Sequence, residues 1–339
     1  MTTTSKTNFW LRLRPTHIAL PLMLLALVIV FSVLSNDFLT SANLISVARQ
    51  SVYLLLVTFA QMIVLLNAQL DLSVGAVIGL SSVVTALTLQ EFGDLGVWTI
   101  PVALLVGTVA GILCGFFNSI AIAVLGAPAF MVTLGSMSVF TAAGLLLTNG
   151  TPASGLPVSF TSFLGTGRVV GIPVPILFAL VVAVLLYVFL AWTVTGRNMY
   201  AVGGNAEAAR TAGINVTWSV MLAFLISGGL AGLCGVLLAA RVGSGEASLG
   251  SSYLLMTIAA AVLGGAALFG GDAAVRHAVL GVLFISILNN GMNLIRVPSY
   301  MQELVLGLVL IGAVVGNAGK IFAMLRNFRL RTQRARIER

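Results

Sequence analysis

Two apolar runs decide the fold: VWTIPVALLVGTVAGILCGFFNSIAIAVL at residues 97–125 and PAFMVTLGSMSVFTAAGLLLT at residues 128–148. They lie within residues 95–167, which contain no charged residue and no histidine. A membrane-spanning helix needs about 20 predominantly apolar residues, so this stretch has room for two spans and an uncharged loop. The 339-residue chain is 59% hydrophobic and only 8% charged, against about 25% charged residues in soluble proteins. The composition indicates a polytopic membrane protein and excludes a soluble enzyme, a nucleic-acid-binding protein and a disordered tail.

Further apolar runs extend this pattern over most of the chain. The runs lie at residues 18–35, 51–68, 74–90, 97–125, 128–148, 172–194, 217–240, 253–269, 278–295 and 301–316. They are continuous and do not alternate with a period of two, which favours helices over a membrane barrel. The sequence therefore predicts an all-α polytopic membrane protein with about ten transmembrane helices.

The charged residues predict the topology. Basic residues precede the first run and follow the last one, and such residues accumulate on the cytoplasmic side of membrane spans. We therefore expect a cytoplasmic basic tail at 1–17, a transmembrane domain at 18–316 and a second cytoplasmic basic tail at 317–339. The second tail is either a topology anchor or a contact with anionic headgroups. With ten spans, the loops at 36–50, 90–96 and 149–171 lie outside the cell and the segment 195–216 lies inside. Arg49, Arg241 and Arg296 argue against this topology, because it places these basic residues outside.

Residues for catalysis or cofactor binding are scarce. His17 and His277 are far apart, no metal-ligand motif is present and no GxxxxGK[ST] phosphate loop occurs, so we expect no cofactor. Asp71 is the one deep ionisable candidate, which disfavours proton coupling, although sodium coupling through backbone carbonyls stays open. Cys114 and Cys234 are expected to be small buried hydrophobes.

Glycines at four-residue spacing occur within the apolar runs, as in Gly107, Gly111 and Gly115. Small residues at this spacing allow helices to pack closely in a membrane. The segment at 110–115, AGILCG, also resembles AGLCG at 231–235. This similarity is either part of an internal repeat or a chance match between Gly/Ala-rich helices.

The polar segment NAQLDLSVG at residues 67–75 separates two short apolar runs. Polar residues between short half-spans are typical of broken helices that line a substrate path. Alternatively, Asp71 or Ser73 caps a helix that begins near Val74. The two interpretations are compatible.

The segment GRNMYAVGGNAEAARTAGI at residues 196–214 predicts a short cytoplasmic helix. Asn205 is a good N-cap, residues 206–212 favour a helix and Gly213 is a natural stop. A two-turn helix is not stable alone and must pack against something. It is either a docking element for another protein or an ordinary cytoplasmic loop.

Together these motifs resemble bacterial ABC-transporter permeases for ribose-, xylose- and galactose-type sugars. The resemblance covers residues 40 to 315 approximately and follows the family order. The matching segments are Asp71-Leu72-Ser73-Val74-Gly75, Ala127 to Gly135, Gly196 to Ile214, Leu249-Gly250, Ile258-Ala259-Ala260, Gly264-Gly265, Gly270-Gly271 and Asn289-Asn290-Gly291-Met292-Asn293.

The resemblance implies a helical permease that does not itself hydrolyse ATP. Separate ABC ATPase subunits would dock on its cytoplasmic side, a periplasmic solute-binding protein would deliver substrate, and a like or sister permease would complete a homodimer or heterodimer. The location implied is the bacterial inner membrane, with both termini cytoplasmic. The residues implied in coupling to the ATPase are Arg197, Gly203, Gly204, Asn205, Ala208, Ala209, Gly213 and Ile214.

Polar residues in the apolar runs and in the segment between two of them are candidates for the translocation path of a monosaccharide or related polyol. They are Gln61, Asn67, Gln69, Asp71, Ser73, Asn118, Thr133, Asn289, Asn290 and Asn293. Each could bind a hydroxyl group or, equally, form a helix–helix hydrogen bond. A self-sufficient ion-coupled secondary transporter is the alternative function, and an intramembrane enzyme lacks a plausible catalytic set.

The chain departs from the family pattern at three places. Ala68-Gln69-Leu70 replaces the usual Gly-Gly-Ile, Leu254 and Met256 replace an acidic pair, and Gly270-Gly271-Asp272-Ala273 replaces Gly-Gly-Arg-Gly. These changes leave the identity of the substrate open and are compatible with a non-identical sister subunit.

Overall fold

The computed structural model describes residues 16–315, with side chains from Leu20 onward. Apart from Thr16 and His17, the predicted tails at 1–17 and 317–339 lie outside these residues. The described part is helical: α1 Thr16–Leu34, α2 Ser41–Leu66, α3 Val74–Phe92, α4 Thr99–Ser119, α5 Ala129–Leu147, α6 Val158–Phe160, α7 Val174–Trp192, α8 Val194–Gly204, α9 Ala206–Thr211, α10 Val216–Val242, α11 Tyr253–Gly264, α12 Val275–Leu294 and α13 Ser299–Val315. A 3₁₀ turn (Gly96–Trp98) precedes α4, and π-helical turns follow α4 (Ile120–Val124) and α6 (Thr161–Thr166).

Each of the ten predicted apolar runs overlaps a helix of the bundle, but the count of about ten membrane spans is not confirmed. Within the described residues, seven helices are long and apolar enough to cross a membrane, and Leu20–Leu34, Tyr253–Gly264 and Ser299–Val315 are shorter. The run predicted at 253–269 is helical only to Gly264, because Gly265 takes the left-handed conformation with φ 115°. Glycine adopts that conformation without steric cost and commonly ends helices.

The second helix begins ten residues before the predicted run at 51–68. Thr40 caps it by accepting a hydrogen bond from the backbone N–H of Asn43. The first turns of α2 are polar and include Arg49 and Gln50, so hydropathy alone did not reveal them. The helix continues without a break to Leu66.

Helices α2, α3 and α10 form the centre of the bundle. In the 18-residue apolar segment of α2, 83% of the residues are buried, and in those of α3 and α10 the share is 67% each. In the corresponding segment of α5 only 22% of the residues are buried, and in that of α7 the share is 33%. Helices that are apolar yet exposed to this extent require an apolar solvent, which agrees with a membrane protein.

Close packing between α4 and α10 depends on glycine. A Cβ on Gly111 or on Gly228 would overlap the backbone of the other residue, and one on Gly232 would lie 2.5 Å from the Gly107 carbonyl oxygen. The predicted role of the regularly spaced glycines in helix packing is therefore confirmed. The similar segments at 110–115 and 231–235 lie on these two helices; an internal repeat remains a hypothesis.

Loops gather at two opposite ends of the bundle. At one end, β1 (Ala153–Ser154) pairs antiparallel with β4 (Ser244–Gly245), and Gln90 Nε2 donates to the Ser154 carbonyl. A hairpin of β2 (Arg168–Val169) and β3 (Ile172–Pro173) precedes α7. At the other end, the Gly271 N–H donates to the carbonyl of Leu66 at 3.1 Å. The first will be called the hairpin end and the second the coupling end.

The segment 244–252 turns back into the bundle beside α3. A Cβ on Gly245 would lie 2.5 Å from the Ser82 carbonyl oxygen. Likewise, a Cβ on Gly75 would lie 2.6 Å from the Gly250 carbonyl oxygen. Ser82 Oγ also accepts from the backbone N–H of Glu246 at 3.1 Å. The non-helical segment thus extends from the level of Ser82 to the first turn of α3, where α11 begins. Irregular backbone at this depth is tolerated when it is buried in protein or lines a cavity.

Candidate functional site

The connection between α2 and α3 places polar side chains against α10. Asn67 ends α2 with its Nδ2 donating to the Ile63 carbonyl at 3.2 Å, and its Oδ1 accepts from Ser219 Oγ at 2.7 Å. Ala68 follows in the left-handed conformation, with φ 57°. The chain then turns back along α10 from Ser219 toward Ser227. The polar segment 67–73 is therefore a break between α2 and α3. Each of these helices is long enough to cross a membrane, so they are not the short half-spans that the sequence interpretation assumed, and the role of the break in lining a substrate path stays a prediction.

Asp71 is buried in this break and accepts hydrogen bonds from three donors. Its Oδ1 accepts from the backbone N–H of Ser73 at 2.9 Å and from Ser73 Oγ at 2.6 Å. Its Oδ2 accepts from Ser227 Oγ on α10 at 3.3 Å. Asn118 Nδ2 on α4 donates to Ser73 Oγ at 2.8 Å. This network joins the break to α4 and α10, and we will call it the Asp71 network.

The capping interpretation of this segment holds in part. Ser73 occupies the N-cap position of α3 but its side chain makes no capping hydrogen bond. Instead the Asp71 carboxylate binds the backbone N–H two residues later, which stabilises the turn that precedes the helix. The same residue therefore stabilises the start of α3 and connects the break to α10.

Three more predicted path residues lie near this break or on the helix that leads to it. Thr133 Oγ1 donates to the Ala129 carbonyl at 2.8 Å and lies 3.3 Å from that of Leu70. Gln69 is half-buried within the break. Gln61 on α2 is fully buried, and neither its Oε1 nor its Nε2 has a hydrogen-bond partner. A buried amide without a partner is unusual, and the role of Gln61 in the translocation path stays a prediction.

The remaining path candidates lie at the opposite end of α2. Asn290 on α12 and Asn43 on α2 exchange two side-chain hydrogen bonds, at 2.8 and 2.9 Å. Asn293 is exposed and accepts from Gln302 Nε2 at 2.9 Å, while Asn289 Nδ2 lies 3.8 Å from Met256 Sδ. The Asn43–Asn290 pair is a helix–helix hydrogen bond, which was the alternative role for these residues. The structure does not bring the three asparagines into contact with the Asp71 network.

The segment predicted to dock with an ATPase consists of two helices rather than one. α8 begins at Val194, capped by Thr193 Oγ1, which accepts from the Gly196 N–H at 2.9 Å. Arg197, Gly203 and Gly204 belong to this helix, whereas the sequence predicts a helix only at 206–212. Hydropathy does not reveal α8 because its residues are a mixture of polar, apolar and glycine residues.

The predicted short helix is confirmed as α9. Asn205 Oδ1 accepts from the Ala208 N–H at 3.0 Å, and the chain turns at Gly213 with φ 80°. The Ile214 N–H then donates to the Ala209 carbonyl at 3.0 Å, which closes the helix end. Ala208 is exposed, whereas Ala209 is buried within the chain. The two alanines predicted to act alike therefore differ.

Helix α8 rests directly on the break between α2 and α3. A Cβ on Gly203 would overlap the Leu66 carbonyl oxygen and would lie 2.7 Å from the Gly271 N–H nitrogen. A Cβ on Gly270, which has φ 87°, would lie 2.7 Å from that of Ala68. The end of α8, the end of α2 and the loop at 265–274 therefore meet at one point. Backbone contacts therefore connect α8 to the segment that carries Asp71.

Tyr200 adds a second connection between α8 and the same loop. Its hydroxyl donates to the Ala273 carbonyl at 2.5 Å. Burial raises the pKa of Tyr200, and Asp272 acts in the same direction while Arg276 opposes it. The hydroxyl is therefore a stable donor in this contact at neutral pH.

The sequence patterns gave no sign of several partners in these contacts. Asn43, Ser219 and Ser227 each bind a candidate residue but carry no distinguishing motif of their own. Their partners are distant in sequence, so only the folded arrangement identifies them.

Comparisons with known proteins identify the family of the chain. Residues 43–314 match the family described as "Branched-chain amino acid transport system / permease component". The chain is 35% identical over 293 residues to the D-allose transport system permease protein AlsC of Escherichia coli, covering 86% of this chain and 88% of that protein.

Two further relatives have similar coverage. The ribose import permease protein RbsC of Bacillus subtilis is 38% identical over 294 residues, which are 86% of this chain and 89% of that protein. The autoinducer 2 import system permease protein LsrC of Salmonella paratyphi B is 33% identical over 309 residues, covering 90% and 88%. No solved structure is significantly similar to the chain.

These similarities extend over nearly all of the described helices, including the Asp71 network and α8–α9. They confirm the resemblance found from the motifs and favour a permease over a self-sufficient secondary transporter. The chain belongs to the family of branched-chain amino acid transport system permease components.

Proposed function

We propose that this chain is the transmembrane permease subunit of an ATP-binding-cassette importer for a monosaccharide or related polyol. The relatives named for allose and ribose transport support the substrate class. The side chains at the break and beside it support it too, because Asn67, Ser73, Asn118 and Thr133 are uncharged amides and hydroxyls that now bind other protein groups. Asp71 has no cationic partner among the residues described. A zwitterionic amino acid would need both charges matched, whereas a neutral polyol needs only hydrogen bonds.

In this proposal ATP is hydrolysed by separate subunits that dock on α8 and α9. The absence of a phosphate-loop motif from the sequence agrees with that division. The exposed Ala208 on α9 leaves room for close approach of a partner surface. The observation that supports the proposal most directly is the contact of Gly203 with Leu66, because it joins the proposed docking element to the polar break.

The membrane arrangement belongs to the same proposal. About ten spans cross the bacterial inner membrane, with the coupling end and both termini in the cytoplasm. A periplasmic solute-binding protein then meets the hairpin end, and a second permease subunit, identical or not, completes the pathway. Helices α1, α11 and α13 complete the count if each of them also crosses the membrane.

Tryptophan at Ala208 tests the docking element without disturbing the core. The exposed side chain of Ala208 can be enlarged freely, whereas tryptophan at the buried Ala209 would disrupt the fold. We expect Ala208→Trp to abolish co-purification of the ATPase and ATP-driven uptake. Leu146→Trp is the matched control, because Leu146 is 79% exposed on α5. Unchanged ATPase association in Ala208→Trp would refute the assignment of α9.

A further inference from the structure

A groove of about 960 Å³ lies between α7, α8 and the start of α12. Its walls are mainly alanine, valine and leucine side chains, among them Ala183 and Val184 from α7 and Val279 and Leu280 from α12. Ligand pockets in proteins measure about 300–1,000 Å³, so this groove is large enough for a substantial apolar group.

The groove opens toward the surroundings of the bundle and ends near the membrane surface. On α7, Leu180, Val181 and Leu185 are 57–62% exposed, as expected for a helix that faces lipid. Trp192 ends that helix and is 74% exposed. Exposed aromatic residues at the ends of spans lie at the membrane–water interface. The end of the groove beside α8 is therefore at the level of the lipid headgroups.

Two arginines line this end of the groove. Arg197 on α8 and Arg276 in the first turn of α12 are both exposed. Neither forms an ion pair in the part of the chain that the structure describes, where Arg210–Glu207 is the pair found. Asp272 is the nearby acidic residue, and it influences Tyr200 without pairing with Arg276.

The start of α12 adds to the positive potential at this end. No side chain caps the helix, whose N-cap position is Ala274. The His277 N–H donates to the Ala274 carbonyl at 2.8 Å, and the helix dipole favours an anion at this end. An apolar groove that ends in two unpaired arginines matches a molecule with apolar chains and an anionic head.

We propose that this groove binds an anionic phospholipid of the cytoplasmic leaflet. Its phosphate lies between Arg197 and Arg276, and an acyl chain follows the apolar wall past Val184 and Leu280. Basic pockets between membrane helices on the cytoplasmic side are suited to such headgroups. A second copy of this chain fits less well, because it would have to supply carboxylates and the whole chain has only nine acidic residues. The site gives the position of α8 a dependence on lipid charge that is independent of the transported solute.

Native mass spectrometry of the full-length chain, purified with its native subunits, tests this site. The complex is titrated with phosphatidylglycerol and with phosphatidylcholine of the same acyl chains. We expect Arg197→Gln combined with Arg276→Gln to weaken phosphatidylglycerol binding about 30-fold. That corresponds to about 1 kcal/mol for each arginine near the membrane surface, at about 1.4 kcal/mol per tenfold change. The control combines Arg168→Gln with Arg296→Gln, which remove the same charge from exposed positions.

A second variant tests the apolar part of the groove. Val184→Trp fills it while keeping both arginines, and its side chain is exposed enough to be replaced without unfolding the bundle. We expect it to weaken phosphatidylglycerol binding as well. Equal binding of the two lipids by the unmodified chain, or equal losses in the double variant and its control, would overturn the proposal. Efficient disulfide formation between two copies of Val184→Cys in membranes would also overturn it, because the groove would then be a protein interface.

Discussion

Gly203 packs against the carbonyl group of Leu66 so closely that no side chain fits between them. This contact joins the last turn of α8 to the last residue of α2, immediately before the polar break that contains Asp71. Packed interfaces of this kind shift between discrete arrangements rather than deforming continuously. We infer that motion of α8 and α9 is transmitted to the break through this contact.

Replacing Gly203 with alanine is expected to separate α8 from α2. Overpacking of a well-packed contact costs about 1–3 kcal/mol, so the thermal midpoint in detergent should fall. ATP-driven uptake in proteoliposomes should fall further, because the path of transmission is displaced. The neighbouring substitution Gly204→Ala is the control, since a Cβ there meets nothing within 4 Å. Equal uptake by the two variants would show that this contact does not transmit motion.

Removal of the Asp71 carboxylate is expected to destabilise the break. Asp71→Ala leaves the Ser73 N–H, the Ser73 hydroxyl and the Ser227 hydroxyl without their acceptor. A buried unsatisfied donor costs about 1–3 kcal/mol, and Asp71→Asn should cost less because an acceptor oxygen remains. The measurement is the unfolding midpoint in detergent, with Asp37→Ala as the control at an exposed position. Identical midpoints for Asp71→Ala and Asp37→Ala would contradict the network described.

Because α4 and α10 approach closely at Gly111, alanine substitutions at Gly111 and at Gly135 are expected to change stability by very different amounts. Gly111→Ala places a methyl group against the Gly228 carbonyl and is expected to lower stability by about 1–3 kcal/mol. Gly135→Ala on α5 meets nothing within 4 Å and should leave stability unchanged or slightly raised. Thermal unfolding of the two variants in the same detergent distinguishes them. If both behave alike, α4 and α10 do not cross at Gly111.

The amide pair between Asn43 and Asn290 is expected to show coupling in a double-mutant cycle. A leucine substitution at one of the two positions leaves the partly buried amide of the other without its hydrogen-bond partner. The double substitution removes both amides. Hydrogen bonds between membrane helices contribute about 0.6 kcal/mol on average and up to about 1.7 kcal/mol. We therefore expect a coupling free energy within that range, measured from unfolding midpoints. Strictly additive effects would mean that these asparagines do not stabilise α2 against α12.

The order of the apolar helices could be predicted from the sequence, because an apolar helix is recognised from the hydropathy of its own residues. Helix α9 was predictable for a similar reason, since Asn205 and Gly213 are local start and stop signals. By contrast, the inward turn of residues 244–252 depends on Gly75 and Gly79, which lie far away in sequence. Local patterns contain no information about such contacts.

The candidate site was predictable only in part for the same physical reason. The break at Asp71 was recognisable from polar residues between two apolar runs. Its partners Ser219 and Ser227 are ordinary serines in an apolar helix, and only the packing of α10 against the break identifies them. Asn290 matched the family pattern, yet its partner Asn43 lies in the polar first turn of α2, outside the predicted run.

Reconstitution of the purified chain into proteoliposomes tests whether a separate ATPase drives transport. Uptake of radiolabelled ribose or allose is measured for the chain alone and with its co-purified subunits, in the presence of ATP, sodium gradients or proton gradients. We predict uptake only when the ATPase, the binding protein and ATP are all present. Gradient-driven uptake by the chain alone would contradict the proposed importer and identify an ion-coupled secondary transporter.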